Sequence, residues 1–495
     1  MVSPEGKASM KPSDIIDLRT ALDFLAQYPG ESISTNVEVD PYLELAGVYR
    51  RVGSGTPTAP PTKLGPAMLF ENIKGHPEMR VLAGLLASRR RAALFVGTSP
   101  ERLAFDLLDA LEKPVPPVTV PKEQAPCQEV VTKAPFDLRE VIPTLVSTKI
   151  DAGPFLLMAV LRASDPETGE SDVTIHRLCI IGPDAMTISI VPGRHIGAFY
   201  EKAEAMGKPL PLSVNIGLDP AIHLATSFFP PTTRMGFDEL TIAGGLRHRP
   251  MELVDCITQP AVKAIARAEI VLECELRPGD REDEDILTGL GRAMPEFPGY
   301  VGWALKKTPV VRVTGITHRV NPILQTLVGP GEEHVTLAGL PTEASIFRLV
   351  DDAMPGFLQN VYLHPAGGGK FLAILQVKKR SAIDEGRQRQ AAIQAFAAFF
   401  ELKHVILVDE DVDLFDTNDV MWAMTTRYQG DIDSIFLPGV LCHPIDPTSR
   451  PEYNPMIRQV GNACKTIFDC TAPWNMKERF ERAQFIDVDV EKFLP

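Results

Sequence analysis

The placement of proline most constrains the fold of this chain. Five of its 44 prolines fall within residues 113–126, KPVPPVTVPKEQAP. Because proline lacks a backbone N–H and restricts the backbone, this segment can form neither a helix interior nor a central strand. We therefore place a domain junction here and predict three units, residues 1–121, 122–320 and 321–495.

The first two units differ in their apolar patterns. In the first, Ser13 is placed to cap an amphipathic helix, and residues 67–70 and 93–96 are typical of short buried strands. The second alternates apolar and polar residues in short segments between Gly, Pro and Asp turns, as in 172–181 and 310–316. This alternation predicts a mainly β unit with a few inserted helices.

The third unit returns to a mixed pattern. Strand 371–377, helix 384–402 and strand 404–408 form a crossover unit, which predicts a parallel strand pair. Residues 474–485 are typical of a short amphipathic helix followed by a tail. The predicted fold class is a multidomain α/β (α+β) protein with α/β domains on either side of the β-rich unit.

Composition excludes several classes of protein. Apolar residues make up 44% of the chain, and 50 Lys and Arg against 64 Asp and Glu leave a net charge of −14. No apolar run approaches the ~18 residues of a membrane span, the start is polar, and no basic block suits nucleic acid. Seven cysteines without a CxxC pair indicate reduced thiols rather than zinc ligands or disulfides. We expect a cytoplasmic protein that binds neither membrane nor nucleic acid.

The densest cluster of candidate functional residues is Asp172-Val-Thr-Ile-His-Arg177, followed by Pro192-Gly-Arg-His195. The second segment ends a strand and opens a helix, so Arg194 and His195 lie where free backbone N–H groups favour an anion. The alternative is a simple turn with His195 as a helix cap. Strict alternation places Asp172 and Arg177 on opposite strand faces, so a shared pocket requires a bulge or a sharp twist.

Two further acids are candidates for chemistry. Glu239, together with Asp172 and His195, would form a hard O/N ligand set suited to Mn²⁺ or Mg²⁺ rather than zinc, whereas the alternative is solvated surface acids. Glu296 stands between two prolines beside Met294, Phe297 and Tyr300. An apolar setting of this kind raises a carboxyl pKa, as a proton donor requires, and the alternative is a loop acid facing water.

Two histidines are candidate contacts for a substrate hydroxyl. His334 ends the stiff loop 329–334, where it either binds a hydroxyl or pins the loop, and His443 is a weaker candidate in 441–445. Gly367-Gly-Gly-Lys370 is not a P-loop, because Phe371 replaces Ser/Thr and a strand follows. No GxSxG elbow indicates serine catalysis.

At 172–177, 194–195, Glu239 and Glu296-Phe-Pro-Gly-Tyr300 the sequence resembles the UbiD family of prenylated-flavin-dependent decarboxylases. Longer strings at 39–49, 325–334, 339–344 and 465–470 are similar to the bacterial branch that acts on protocatechuate (3,4-dihydroxybenzoate). The resemblance spans residues from about 15 to about 485. It implies a central split β-barrel that binds the flavin, in a homodimer or larger assembly.

The resemblance also implies roles for single residues. Arg177 would lie beside the substrate carboxylate, and Glu296 would supply the proton. Asp172, His195 and Glu239 would bind Mn²⁺ (or Mg²⁺), which with K⁺ holds the phosphate of prenylated FMN (prFMN), a cofactor made by a flavin prenyltransferase. The implied contacts of that cofactor are Thr174, Ile175, His176, Arg177, Arg194, His195, Ser227 and Glu239.

One departure concerns the carboxylate that normally pairs with the arginine. The family block EGPFGE has two glutamates five positions apart, but residue 291, five before Glu296, is glycine. The candidates for a replacement are Glu282, Glu284 and Asp285, and the alternative is that none replaces it.

The resulting hypothesis is reversible, non-oxidative decarboxylation of a para-hydroxylated aromatic acid with release of CO₂. Protocatechuate is favoured over gallate, 4-hydroxybenzoate and vanillate. His334 or His443 would contact the phenolic oxygen, while Leu327 and Ile445 would form an apolar wall. The alternatives are a non-catalytic flavin-binding or storage subunit and, disfavoured by the lack of GxGxxG, a plain FMN reductase.

Overall fold

The computed structural model of this chain describes residues 9–54, 65–190, 193–228 and 232–493. Pro192 of the predicted anion-binding turn lies outside the described residues. The N-terminal part contains helices α1 (Leu18–Leu25), α2 (Glu44–Ser54), α3 (Arg89–Val96) and α4 (Leu103–Glu112), and strands β1 (Ser32–Thr35), β2 (Ala67–Phe70), β3 (Arg80–Ala83) and β4 (Val118–Thr119).

The middle part is built mainly of strands. They are β5 (Val130–Lys133), β6 (Phe155–Leu156), β7 (Val160–Ser164), β8 (Ser171–Ile175), β9 (Leu178–Ile180), β10 (Ala185–Ile188), β11 (Leu210–Ile216), β12 (Glu252–Asp255), β13 (Lys263–Ile265), β14 (Ile270–Glu282), β15 (Arg292–Pro295), β16 (Val301–Trp303) and β17 (Thr308–His318). Its helices are α5 (Leu138–Val141), α6 (His195–Ala205), α7 (Pro220–Ala225) and α8 (Leu240–Arg247).

The C-terminal part alternates strands and helices. In chain order these are β18 (Ile323–Thr326), α9 (Glu332–Ala353), β19 (Leu358–Leu363), β20 (Leu372–Val377), α10 (Arg387–Ala398), β21 (His404–Asp409), α11 (Thr417–Arg427), β22 (Ser434–Leu441) and β23 (Asn462–Asp469). Short 3₁₀ turns occupy Pro12–Asp14, Lys122–Gln124, Pro126–Gln128, Pro365–Gly367, Ala382–Asp384 and Trp474–Phe480.

A nine-stranded sheet forms the centre of the molecule. Its order is β6-β9-β10-β17-β14-β11-β7-β8, with β5 added to β17, and no pairing among the described strands closes it into a barrel. Buried side chains of this sheet pack with α6 in one apolar cluster. The predicted multidomain mixture of helices and strands, with a β-rich centre, is confirmed.

Four smaller sheets accompany the large one in the described part of the chain, and two of them are β13-β12-β4 and the pair β15-β16. The N-terminal sheet has the order β1-β2-β3-β18, so a strand from residues 323–326 completes it. The C-terminal sheet has the order β19-β20-β21-β23-β22, and β20 runs parallel to β21 as predicted. Helix α9 contacts α4 and α7 as well as β19 and α10, and so joins the C-terminal part to the rest. The boundaries at residues 121 and 320 stay predictions.

Several local predictions are wrong. Residues 93–96 belong to helix α3, because Ser88 caps an amphipathic turn there by accepting from the Arg91 N–H. Asp17, not Ser13, caps the first long helix. Residues 474–480 form a 3₁₀ turn, and the tail beyond is exposed. No helix in the described ranges combines the length and apolarity needed to cross a membrane.

Burial of neutral histidine predicts a pH dependence of stability. His223 in α7 is fully buried and bonds through Nε2 only to the Met158 carbonyl, at 3.3 Å. Burial lowers the pKa of its ring from 6.5 to about 4. Below about pH 6.5 the unfolded chain binds a proton that the folded chain excludes, so this residue lowers stability as the pH falls.

We expect His223→Gln to flatten the pH dependence of unfolding. Relative to the variant, the wild-type chain should lose about 2 kcal/mol of unfolding free energy between about pH 6.5 and about pH 5. Urea unfolding at several pH values measures the difference. Equal pH slopes in the two proteins would contradict the prediction.

Candidate active site

The site begins where the edge strand β8 ends. This strand carries Asp172 and Thr174, pairs only with β7, and ends at Ile175. His176 and Arg177 then form the turn that leads into β9. Because Arg177 lies beyond the strand, strict alternation does not apply to it, and this removes the predicted conflict with Asp172.

Three predicted metal ligands converge at this point. Asp172, His195 and Glu239 are each no more than 4% exposed, and each offers one ligand atom within 4.8 Å of the others. His195 opens α6 and donates Nδ1–H to Asp172 Oδ1 at 3.1 Å, which leaves Nε2 with the lone pair. Glu239 lies at the start of α8 and accepts the Val173 N–H at 3.1 Å.

This cluster fits a divalent cation. Burial, and then the charge of Asp172, raise the pKa of Glu239 well above its usual value. Oxygen Oδ2 of Asp172 is buried and has no hydrogen-bond partner in the part of the chain that the structure describes. Two buried carboxylates and an imidazole lone pair form the hard ligand set that Mn²⁺ or Mg²⁺ prefers, and a cation would remove the repulsion between the acids.

Beside the cluster, two polar atoms on β8 and the turn after it are buried without a hydrogen-bond partner among the described residues. They are Thr174 Oγ1 and His176 Nε2, whereas His176 Nδ1 donates to the Ser189 carbonyl at 3.0 Å. Arg194 directly precedes the first turn of α6, and the negative charges of Glu401, Asp172 and Glu239 stabilise its guanidinium. Unsatisfied buried groups beside a helix N-terminus fit a bound phosphate-bearing cofactor.

Two other predicted cofactor contacts have different surroundings. The Ser227 hydroxyl donates to the His223 carbonyl at 3.1 Å, so it already has a partner. Ile175 is half-buried and packs against the apolar cluster that includes α7 and α8.

Arg177 is held between two carboxylates. Its Nε and Nη2 donate to the oxygens of Glu284 at 3.2 and 3.0 Å, and its Nη1 donates to Glu296. The guanidinium lies 5.9 Å from the centre of the Phe155 ring. Glu284 is 1% exposed and also accepts the Leu305 N–H at 2.9 Å, so its position is set by the chain as well as by the arginine.

The structure therefore decides which acid pairs with the arginine. Glu282 is exposed at the end of β14. Asp285 accepts the N–H groups of Thr288, Gly289 and Gly291 and so shapes the following turn. Of the three candidates, only Glu284 contacts Arg177.

Glu296 combines burial with a confined backbone. Burial raises the pKa of its carboxyl, while the charges of Arg177 and Lys370 oppose that rise. A Cβ on Gly302 would lie 2.7 Å from Glu296 Cγ, so a larger residue there would displace the Glu296 side chain. Met294 and Phe297 are buried, as an apolar setting for Glu296 requires, but Tyr300 is 60% exposed and does not contribute to it.

Phe297 forms the centre of an aromatic and cationic cluster. The rings of His334, His443 and Phe371 lie edge-on to it at centroid distances of 5.5, 5.2 and 4.9 Å. Lys370 Nζ lies 5.0 Å from the ring centre and pairs with Glu401 at 2.7 Å. Together these side chains bring the C-terminal part against the loop that carries Glu296.

Both histidines of this cluster are neutral at physiological pH. Burial lowers the pKa of His334 to about 3 and that of His443 to about 4. His443 Nδ1 accepts the Ile445 N–H at 3.1 Å, so the neutral ring carries its proton on Nε2. His443 can therefore donate a hydrogen bond without carrying a charge.

A small cavity lies close by and has a mixed lining. Its apolar side chains include Phe155, Leu157 and Met294, and its polar ones are Ser147, Asp151 and Thr326, whereas the predicted wall residues Leu327 and Ile445 are not among the lining residues. Leu327 is 8% exposed beside Gly329, whereas Ile445 is half-buried next to His443.

Sequence reasoning missed Lys370 and Glu401. In the sequence Lys370 stands out only as part of a segment that resembles a P-loop. In the structure it follows a glycine turn that brings Gly368 against Phe297, where a Cβ on Gly368 would lie 2.6 Å from Phe297 Cδ2. Glu401 carries no local signal, because its partner is distant in sequence.

Comparison with known proteins agrees with the fold. Three domains described for 3-octaprenyl-4-hydroxybenzoate carboxy-lyase match: the N-terminal domain at residues 25–111, the Rift-related domain at 118–332 and the C-terminal domain at 335–470. The chain belongs to the UbiD family and is a carboxy-lyase.

Individual relatives cover almost the whole chain. It is 50% identical to gallate decarboxylase of Lactiplantibacillus plantarum over 97% of this chain and 99% of that protein. The solved apo 3,4-dihydroxybenzoic acid decarboxylase from Enterobacter cloacae is 55% identical with a TM-score of 0.92, over 97% and 99% of the two chains. An evolved dimeric form of the UbiD-class enzyme HmfF from Pelotomaculum thermopropionicum, solved in complex with prFMN, is 32% identical with a TM-score of 0.81, over the same shares.

Proposed function

We propose that this chain catalyses the reversible decarboxylation of a para-hydroxylated aromatic acid, with protocatechuate to catechol as the favoured reaction. The observation that carries the proposal is the clamp of Arg177 between Glu284 and Glu296, next to a cluster with two neutral histidines. The similarity to 3,4-dihydroxybenzoate and gallate decarboxylases supports an aromatic acid with adjacent hydroxyls.

The cofactor in this proposal is prFMN. Asp172, His195 and Glu239 would hold Mn²⁺ (or Mg²⁺), which with K⁺ would anchor the phosphate, and Thr174, His176 and Arg194 would surround it. Ile175, Arg177 and Ser227 are the remaining proposed contacts. When bound, the cofactor supplies the electron sink that direct loss of CO₂ from an aromatic ring requires.

Arg177 binds and orients the substrate carboxylate. In the free site its Nη1 donates to Glu296. An arriving carboxylate competes for that donor and releases Glu296, while Glu284 keeps the guanidinium in place. Glu284 thus keeps Arg177 oriented, while Glu296 becomes available for proton transfer.

Glu296 donates the proton. The carbon–carboxylate bond breaks with departure of CO₂, the ring carbon gains the carboxyl proton of Glu296, and water restores that proton. A raised pKa suits this task, because the group must be protonated near neutrality. In the carboxylation direction the same carboxylate accepts the ring proton.

The remaining residues recognise the ring and exclude water. His443 Nε2–H and the neutral His334 ring contact the phenolic oxygens. Leu327 and Ile445 form an apolar wall that favours neutral CO₂ over charged groups. We also propose a homodimer or larger assembly, supported by the exposed apolar side chains of Phe485 and Phe493 in the tail, and a flavin prenyltransferase as the cofactor source.

A substrate panel tests the proposal. Protein produced with a flavin prenyltransferase is assayed for CO₂ release from protocatechuate, gallate, 4-hydroxybenzoate and vanillate. The highest kcat/KM should be for protocatechuate, and a preference for gallate would correct the substrate within the same chemistry. Flavin binding without turnover of any acid would favour the non-catalytic subunit, whose main support, a missing partner for Arg177, is removed by Glu284.

The metal cluster gives a separate prediction. Glu239→Gln should weaken Mn²⁺ binding about 100-fold, because a neutral amide is a poor ligand and the charge opposite Asp172 is lost. Calorimetric titration of metal-free protein measures the effect. Glu201→Gln, an exposed change on helix α6, is the control and should bind Mn²⁺ like wild type. Unchanged affinity of Glu239→Gln would exclude this cluster as the metal site.

A further inference from the structure

A lysine buried in the C-terminal sheet has no carboxylate partner. Lys465 on β23 is 1% exposed, and among the described residues it forms no ion pair with an acid. Its Nζ donates instead to two backbone carbonyls, those of Phe400, at 2.6 Å, and Leu402. Burying a cation is unfavourable unless ion pairs or hydrogen bonds offset its lost hydration, and an apolar side chain would fill this position without that cost.

The two carbonyls flank Glu401, and a second buried side chain holds the carbonyl between them. Cys442 is fully buried, and its Sγ donates to the Glu401 carbonyl at 3.1 Å. Three consecutive carbonyls after α10 are therefore bound by side chains from β23 and from the segment after β22. This arrangement, here called the 400–402 brace, consists of Lys465, Cys442 and the carbonyls of residues 400–402.

The 400–402 brace is connected to the candidate active site through one ion pair. Glu401 is 3% exposed and pairs with Lys370 at 2.7 Å, and that ammonium lies 5.0 Å from the Phe297 ring. Lys370 and His443 hold the pKa of Glu401 at about 2 although burial opposes this, so the acid is ionised. The residue whose backbone carbonyl is bound in the brace is therefore also the ion-pair partner of Lys370.

We propose that Lys465 is a positioning residue of this enzyme: by binding the carbonyls on either side of Glu401, it fixes the Glu401–Lys370 pair and so places the ammonium beside the ring-binding cluster of His334, Phe297 and His443. Three N–H donors on one flexible stem let a lysine bind two carbonyls at once. The inference rests on the proposed function for the identity of the ring.

The test separates positioning from general stability. In holoenzyme, Lys465→Met should raise the KM for protocatechuate about 10-fold and weaken equilibrium binding of catechol by a similar factor, with kcat within about threefold of wild type. The matched control is Lys379→Met. Lys379 is an equally buried lysine of the same domain, paired with Glu385 and bonded to the Ala472 carbonyl at 2.8 Å. The Lys379→Met variant should have lower thermal stability than wild type but the same KM and the same affinity for catechol.

A double-mutant cycle identifies the route of the effect. Glu401→Gln should give the same rise in KM, and adding Lys465→Met should increase it by less than about twofold, because both changes release Lys370. Additive effects, or equal KM values in Lys465→Met and wild type, would overturn the proposal. If Lys465→Met does not fold, Cys442→Ala replaces it with an expected rise of about threefold, and no rise there also overturns the proposal.

Failure of the proposed function gives a different result. If wild-type holoenzyme decarboxylates none of the acids tested, the reaction assignment is wrong whatever the variants do. Catechol binding still tests the brace in that case, because it requires no turnover.

Discussion

Glu296→Gln is expected to reduce turnover of protocatechuate about 1,000-fold or more, because the amide keeps the shape of the side chain but cannot donate a proton to the ring carbon. The Glu296 side chain packs against Gly302. The neighbouring acid Glu284 cannot replace it as proton donor, because Glu284 is hydrogen-bonded to Arg177 and to the Leu305 N–H. The same change should abolish exchange of the catechol ring proton with labelled water. Binding of catechol should change by less than about threefold.

The control for this experiment is Glu282→Gln. This exposed acid lies near the site in sequence but makes no contact with Arg177. Its turnover should match that of the wild-type chain. Turnover of Glu296→Gln above about one tenth of wild type would mean that another group supplies the proton.

Glu284→Gln is expected to lower kcat/KM about 100-fold. The amide loses the charge that holds Arg177 through two hydrogen bonds, and the guanidinium is then drawn to Glu296, its remaining carboxylate. The charge of Glu284 also helps to raise the pKa of Glu296, so its removal lowers that pKa. Both effects lower the pKa of Glu296 and so favour its ionised form, which has no proton to give.

The pH profile distinguishes this explanation from simple misfolding. Decarboxylation requires protonated Glu296, so activity falls as the pH rises through its pKa, and in Glu284→Gln that fall should occur at lower pH. The measurement is kcat against pH for wild type, Glu284→Gln and the Glu282→Gln control. A reduced rate with an unshifted alkaline limb would show that Glu284 acts on Arg177 alone.

Much of the local structure follows from the sequence. Alternation predicted the strands around Asp172 and the crossover in which β20 and β21 run parallel. The Pro-Gly-Arg-His turn predicted that His195 opens a helix. Where local patterns were ambiguous the prediction failed, as at residues 93–96. A short apolar run of this kind is compatible with both a helix and a strand, and only the cap at Ser88 identifies it as a helix.

The assignment of a partner to Arg177 could not follow from the sequence. Glu284 lies 107 positions from the arginine, and the pairing of β14 with β17 shifts register between Leu276 and Arg281, just before the acid. A one-residue change in register reverses the direction of each side chain. From the sequence alone, Glu282, Glu284 and Asp285 are therefore equally good candidates for the partner of Arg177, and only their positions in the structure distinguish them.

The sequence by itself determined the chemical types present: hard metal ligands, a guanidinium, and an acid in an apolar loop. Only the tertiary structure decided that Glu284 holds Arg177, that Lys370 and Glu401 join the cluster around Phe297, and that Lys465 supports them. Backbone preferences act over a few residues, whereas these contacts depend on strand register and on the packing of the C-terminal part against the loop that carries Phe297. The distances between distant residues are therefore properties of the whole fold.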